Sequence, residues 1–189
     1  MLLSTIKEMN RLIENEWRYV DQVINAESIR EQIITSNLFD DYAVFESSPE
    51  RGNPEANKVW GRQGIYIFLF KDDISLTYDE VSAFNRLNGA KIKKEHITQN
   101  GVEFWKKMCL YTGSCIKESL YSRLREHFGN TNGSSLHLGA KERQCMQKKV
   151  IAYAFPIKKE FKEYLRIITP GLEHQMHTHF SAMAGSPRV

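Results

Sequence analysis

The segment GIYIFLF, residues 64–70, constrains the fold more than any other stretch of this chain. It is short, β-branched and aromatic, which is the composition typical of a β-strand. Its apolar side chains occupy consecutive positions, so both faces of the strand need to be covered. The segment therefore predicts a strand that is central in its sheet or covered on both sides.

Two further strands are predicted downstream, at KMCLYTG, residues 107–113, and KKVIAYAFPI, residues 148–157. Between them, residues 116–129 have the pattern of a helix, and Gly129 is a natural helix end. Helices and strands thus mix along the chain, and we expect an α/β (α+β) fold.

The N-terminal residues 2–24 carry apolar side chains at steps of three and four, which predicts a helix with one apolar stripe. A second short helix is expected at residues 28–37. The turn-rich residues 46–63, with two prolines and two glycines, are interpreted as a long loop. Residues 1–58 would form a helical extension and loop ahead of the first strand.

The C-terminal third predicts two helices. Residues 159–168 show a helical stripe at Phe161, Tyr164, Leu165 and Ile168. Thr169 and Pro170 fit the N-cap and first position of a separate final helix.

Length, charge and cysteine content narrow the class of protein. A chain of 189 residues suits one domain. A net charge of +3 permits binding to nucleic acid without requiring it. No apolar run is long enough to cross a membrane, and the charged N-terminal residues do not resemble a signal peptide, so a cytoplasmic protein is expected. The three cysteines lack CxxC spacing and are interpreted as free core thiols.

The helix predicted over residues 116–128 places two basic side chains unusually. Ile116, Leu120 and Leu124 form its apolar line, and Arg123 and His127 lie four apart directly beside that line. An amphipathic helix usually keeps its cations on the solvated face. Either this helix lines an anion site, or Arg123 extends its charged end to solvent and His127 is a satisfied boundary residue.

Two short motifs in consecutive strands give a resemblance to a known family. GIY stands at residues 64–66, YTG stands at residues 111–113, and a helix with Arg123 and His127 follows. This order resembles the GIY-YIG nuclease family, over residues 64–70 and 107–189. The resemblance implies a small three-stranded antiparallel sheet flanked by helices, with residues 71–106 as an insertion between the first two core strands. Within that insertion, Thr77 and Glu80 predict a helix that opens with a capping box.

The resemblance also implies an activity and a set of site residues. The family hydrolyses phosphodiester bonds of DNA with Mg²⁺ or Mn²⁺, so a restriction-like DNA endonuclease without an organic cofactor is expected. In this interpretation Tyr66 is the general base and Tyr111 orients water. Arg123 stabilises transition-state charge, and His127 tunes the base or contacts a phosphate. Glu173 binds the metal. Glu163 is the second candidate for the metal ligand.

Contacts with DNA outside the catalytic set are predicted from charge and position. Ser114 follows the glycine of the second motif, where some family members carry a lysine. Lys141, Arg143 and Lys148 belong to a basic segment that either follows phosphates or is solvated charge. If the enzyme is sequence-specific, a homodimer is expected, because a palindromic site mirrors two-fold symmetry.

An alternative function starts from GLEHQMHTHF, residues 171–180, which holds His174, His177 and His179. Imidazoles at short spacing beside a carboxylate suggest a non-catalytic zinc-binding or DNA-binding module. The glutamate precedes the histidines, however, so the order HExxH of zinc peptidases is not present. On a helical wheel the three histidines point in different directions, which favours Glu173 as a single magnesium ligand.

Overall fold

A computed structural model describes residues 2–25, 36–104, 108–129 and 135–184. Within these residues the helices and strands are α1 Leu2–Asn25, β1 Ala43–Phe45, α2 Pro54–Val59, β2 Gly64–Phe70, β3 Ile74–Leu76, α3 Tyr78–Arg86, β4 Val102–Phe104, β5 Cys109–Cys115, α4 Leu120–Phe128, α5 Gln144–Gln147, β6 Val150–Pro156 and α6 Leu165–Phe180. Short 3₁₀ helices cover Lys94–His96, Lys141–Arg143 and Lys159–Tyr164. The α+β class is confirmed.

The main sheet is antiparallel and has the strand order β1-β6-β2-β5. It has four strands, so the prediction of a three-stranded sheet is wrong in its count. The additional strand, β1, comes from the N-terminal extension and pairs with β6. The predicted central strand is confirmed, because β2 lies between β6 and β5 and all seven of its residues are buried.

The two faces of β2 pack against different elements. Side chains alternate along a strand, so Tyr66, Phe68 and Phe70 share one core with residues of α4. Their neighbours Ile65, Ile67 and Leu69 share the other core with residues of α1 and α6. The sheet therefore separates two apolar layers, which we call the α4 face and the α6 face.

The described residues between β2 and β5 form a small substructure of their own. It contains α3 and a second, two-stranded sheet formed by β3 and β4. The predicted capping box is confirmed: the Thr77 hydroxyl accepts from the Glu80 backbone N–H, and the Glu80 carboxylate accepts from the Thr77 backbone N–H.

Two predictions of local structure are wrong. The region expected to be a loop contains α2, which Asn53 caps by accepting the N–H of Glu55. The final helix does not begin at Thr169 and Pro170, because α6 runs through Pro170 from Leu165. The expected helix at residues 28–37 falls almost entirely outside the described residues. No helix within the described residues is both long and apolar enough to span a bilayer.

Candidate active site

The hydroxyl of Tyr66 is the centre of a buried polar cluster on the α4 face. Tyr66 is 1% exposed. Its Oη lies 2.9 Å from Nε2 of His127 and accepts a hydrogen bond from Nε of Arg123 at 3.3 Å. The ring of Tyr111 stacks beside that of Tyr66, with 6.2 Å between the ring centroids. Four of the predicted site residues are therefore brought together.

The hydrogen bonds of His127 define its tautomer. Nδ1 accepts the backbone N–H of Leu136 at 2.9 Å, so in a neutral ring the hydrogen is on Nε2. Burial lowers the pKa of His127 well below its ordinary value, and the charge of Arg123 adds to this effect. The imidazole is thus neutral and donates to Tyr66, whose oxygen receives two donors.

Two opposing effects act on the ionisation of Tyr66. Burial raises the pKa of the phenol well above its ordinary value, and Tyr111 adds to the increase. The charge and hydrogen bond of Arg123 act in the opposite direction and lower the pKa. The net direction is upward, so the phenol is protonated at neutral pH. Arg123 itself stays cationic, held by Glu126, whose Oε2 lies 2.6 Å from Nη1.

Both glycines of the motifs are required by close packing. A Cβ at Gly113 would lie 2.4 Å from Oη of Tyr66 and 2.6 Å from its Cζ. A Cβ at Gly64 would lie 2.2 Å from the carbonyl oxygen of Phe155 in the neighbouring strand. Gly113 is the direct partner of Tyr66 across β2 and β5, so the phenol occupies the space that a side chain there would fill.

Arg143 holds the backbone that orients His127. Its expected position on the DNA-binding surface is wrong, because the side chain is fully buried. The guanidinium donates to the carbonyl oxygens of Phe84, Ala90 and Leu136 and lies over the ring of Phe84. Burial lowers the pKa of Arg143 to about 10, which leaves it cationic at neutral pH. Since Leu136 also donates to His127, Arg143 connects the insertion to the Tyr66 cluster, a role that a charge pattern could not reveal.

Glu173 lies on the α6 face, across the sheet from Tyr66. It is 4% exposed, and its Oε2 accepts a hydrogen bond from the hydroxyl of Ser114. Ser114 follows Gly113 in β5, so its side chain points to the opposite face from Tyr66. Ser114 was expected to contact DNA, but its side chain is buried. The structure therefore does not place Glu173 in the same cluster as Tyr66.

Most of the other predicted residues are at the surface, whereas His177 is half-buried. Glu163 is exposed in the 3₁₀ helix before α6, and Lys141 and Lys148 are exposed on either side of α5. His174 is exposed, and the ring of His179 packs on Trp17 with 4.4 Å between centroids.

Among the predicted metal ligands, Glu173 has the more defined surroundings. Glu173 offers a carboxylate beside a serine hydroxyl, and its Oε1 accepts no hydrogen bond from a described residue. Oxygen donors of this kind suit a hard cation that keeps several waters. Within the described parts of the chain, no three His, Cys, Asp or Glu side chains are grouped as metal ligands. Glu173 is thus a single-carboxylate candidate.

Comparisons of the chain with protein-family models, curated proteins and solved structures give no match.

Proposed function

We propose that this protein is a metal-dependent DNA endonuclease of the GIY-YIG type. The observation that carries the proposal is the Tyr66 hydroxyl, which is held by Arg123 and His127 and flanked by Tyr111. The motif order along the chain led to these four residues, and a single polar cluster contains all of them.

Each residue of the cluster has a role in phosphodiester hydrolysis. Tyr66, in its ionised phenolate form, takes a proton from the attacking water as general base and becomes the neutral phenol. The N–H donors from Arg123 and His127 stabilise the phenolate before this transfer. The planar guanidinium of Arg123 also matches phosphate oxygens, whose negative charge increases in the transition state. Tyr111 orients the water.

A magnesium ion is proposed as the cofactor, with Glu173 as its protein ligand. When bound, Mg²⁺ supplies Lewis-acid chemistry, but an ion held by Glu173 lies across the sheet from Tyr66 and does not reach a phosphate at the Tyr66 cluster in this arrangement. Glu163 remains the second candidate, because its carboxylate is exposed. DNA is the proposed partner, with Lys141 and Lys148 as phosphate contacts, and a homodimer is proposed for a sequence-specific enzyme.

The test is Mg²⁺-dependent cleavage of supercoiled plasmid, followed by sequencing of the product ends. Tyr66→Phe removes one hydroxyl and is expected to slow cleavage by roughly 10²- to 10⁴-fold. Because the pKa of Tyr66 is raised, the wild-type rate should increase with pH through the alkaline range. Tyr153→Phe is the matched control, since Tyr153 lies in the adjacent strand β6.

Two results would argue against this function. If Tyr66→Phe cleaves DNA at the wild-type rate, Tyr66 is not the general base. Stoichiometric zinc that is lost in His177→Ala, together with no Mg²⁺-dependent nicking, would instead favour the zinc-binding module.

A further inference from the structure

Trp60 exposes a large aromatic surface beside α4. It directly follows α2 and is 47% exposed. One part of its ring packs on Tyr121 of α4, with 4.4 Å between the ring centroids, whereas Tyr121 itself is 6% exposed. An indole with this much accessible area is unusual in a structural role, since Trp is highly buried on average.

Two arginines border this aromatic pair. The guanidinium of Arg51 lies 5.1 Å from the Trp60 ring centroid, and that of Arg125 lies 5.8 Å from the Tyr121 centroid. Both arginines are exposed, and no carboxylate of a described residue lies within 4.0 Å of either one. We call Arg51, Trp60, Tyr121 and Arg125 the tryptophan platform.

The platform is fixed to the helix that carries Arg123. The backbone N–H of Leu120, at the start of α4, donates to the carbonyl oxygen of Arg62 at 2.7 Å. This bond holds the segment after Trp60 against α4. A surface hollow of about 470 Å³ adjoins the platform, and among the described residues that line it Glu50 is the one acidic side chain. The platform therefore combines a fixed aromatic surface with two cations.

We propose that the tryptophan platform binds an unpaired nucleobase of the DNA substrate. The base stacks on the exposed part of Trp60, and Arg51 and Arg125 bind the flanking phosphates. Stacking on an aromatic side chain accepts any base, and arginines beside such a ring supply both phosphate contacts and cation–π attraction. The inference rests on the proposed nuclease function and deepens it, because it assigns single-stranded character to the DNA beside the site.

The experiment is fluorescence anisotropy with a labelled oligothymidylate and a blunt duplex of equal length, in EDTA so that no cleavage occurs. Trp60→Ala is expected to weaken binding of the oligothymidylate about tenfold, with a smaller effect on the duplex. Trp60→Phe should keep most of the affinity. Replacing Arg51 or Arg125 by alanine should each reduce the slope of the logarithm of the binding constant against the logarithm of the salt concentration by about one. Ile167→Ala and Arg166→Ala are matched controls, since both residues are exposed on α6.

Several results would overturn the proposal. One is that Trp60→Ala binds oligothymidylate as tightly as the wild type does. Another is that Trp60→Ala loses equal affinity for oligothymidylate and for the duplex. The third is that the wild-type protein does not bind oligothymidylate. If Trp60→Ala fails to fold, quenching of wild-type tryptophan fluorescence by oligothymidylate replaces it as the test, and undiminished quenching in Trp60→Phe would contradict the proposal.

Failure of the nuclease function is separate. If the protein binds oligothymidylate through Trp60 but does not cleave DNA, the base-binding role of the platform is supported and the nuclease function is contradicted. If the protein cleaves DNA and Trp60→Ala changes neither binding nor cleavage, the nuclease function is supported and the role of the platform is contradicted.

Discussion

The α4 face and the α6 face of β5 differ sharply at two adjacent residues. At Gly113 the strand has no side chain, and the phenol of Tyr66 fills the space together with its two donors. At Ser114 the strand presents a hydroxyl that binds the carboxylate of Glu173. One face thus surrounds a phenol oxygen with two N–H donors, whereas the other holds a buried carboxylate against a serine hydroxyl. Adjacent residues of a strand point to opposite faces of the sheet. Two neighbouring residues of one motif can therefore belong to two different clusters.

The largest expected effect tests whether both faces take part in one reaction. Glu173→Gln keeps the size of the side chain and an oxygen to accept from Ser114, but removes the negative charge. If Glu173 is the metal ligand, we expect Mg²⁺-dependent cleavage to fall by about 10²-fold or more, with DNA binding in EDTA unchanged. Glu163→Gln is the matched control on an exposed carboxylate. Full activity in Glu173→Gln with loss in Glu163→Gln would move the metal ligand to Glu163.

The second prediction concerns the support of the α4 face. Arg143→Leu leaves the carbonyls of Phe84, Ala90 and Leu136 without this donor, and each buried unsatisfied group costs about 1–3 kcal/mol. We expect the free energy of unfolding in urea to fall by about 3 kcal/mol or more. Arg143→Lys should recover part of both stability and cleavage, whereas the exposed control Lys148→Ala should change stability by less than about 0.5 kcal/mol. A stable Arg143→Leu protein would contradict the proposed support of His127.

Much of the fold was predictable because some segments carry strong local signals. The consecutive apolar residues of GIYIFLF predicted a buried central strand, and Thr77 with Glu80 predicted a capped helix. β1 was missed because three residues give too short a pattern, and its position depends on pairing with β6. Pro170 misled the prediction because a proline inside a helix removes one N–H donor and crowds the carbonyl four residues earlier, which usually ends or kinks the helix, whereas α6 continues through it.

The candidate site was predictable only where residue type and local position determine it. Arg123 and His127 lie one turn apart beside the apolar line of α4, so their direction could be read from the helical period. The burial of Arg143 depends on carbonyls from α3 and two loops, which are remote in sequence. A cluster of basic residues in the sequence does not distinguish such an arginine from a solvated one.

The third prediction contrasts Gly113 with Ser114 directly. Gly113→Ala places a methyl group in the space of the Tyr66 phenol, and overpacking of this kind costs about 1–3 kcal/mol of stability. Cleavage should fall as well, because the hydroxyl of Tyr66 has to move. Ser114→Ala, one residue along on the other face, is expected to leave the Tyr66 cluster undisturbed. Ser114→Ala also lowers stability, because it leaves the buried carboxylate of Glu173 without this donor. The two variants are therefore compared by the pH profile of cleavage, which Gly113→Ala should shift and Ser114→Ala should not, and equal shifts would contradict the separation of the faces.

The smallest expected effect is a pH dependence that belongs to the α4 face. Burial and Arg123 hold the pKa of His127 well below the ordinary 6.5, so below about pH 6.5 the unfolded chain takes up a proton that the folded protein does not. Folding stability should therefore fall as pH decreases from about 6.5, by up to about 1.4 kcal/mol per pH unit from this group.

His127→Gln removes this titration and should flatten the dependence of unfolding free energy on pH, measured in urea from about pH 7 to pH 5. Ser114→Ala keeps His127 and should retain the wild-type slope, because it changes only the α6 face. If the slope is the same in His127→Gln as in the wild type, the imidazole is not held neutral against Tyr66. The donation from Nε2 would then no longer distinguish the two faces.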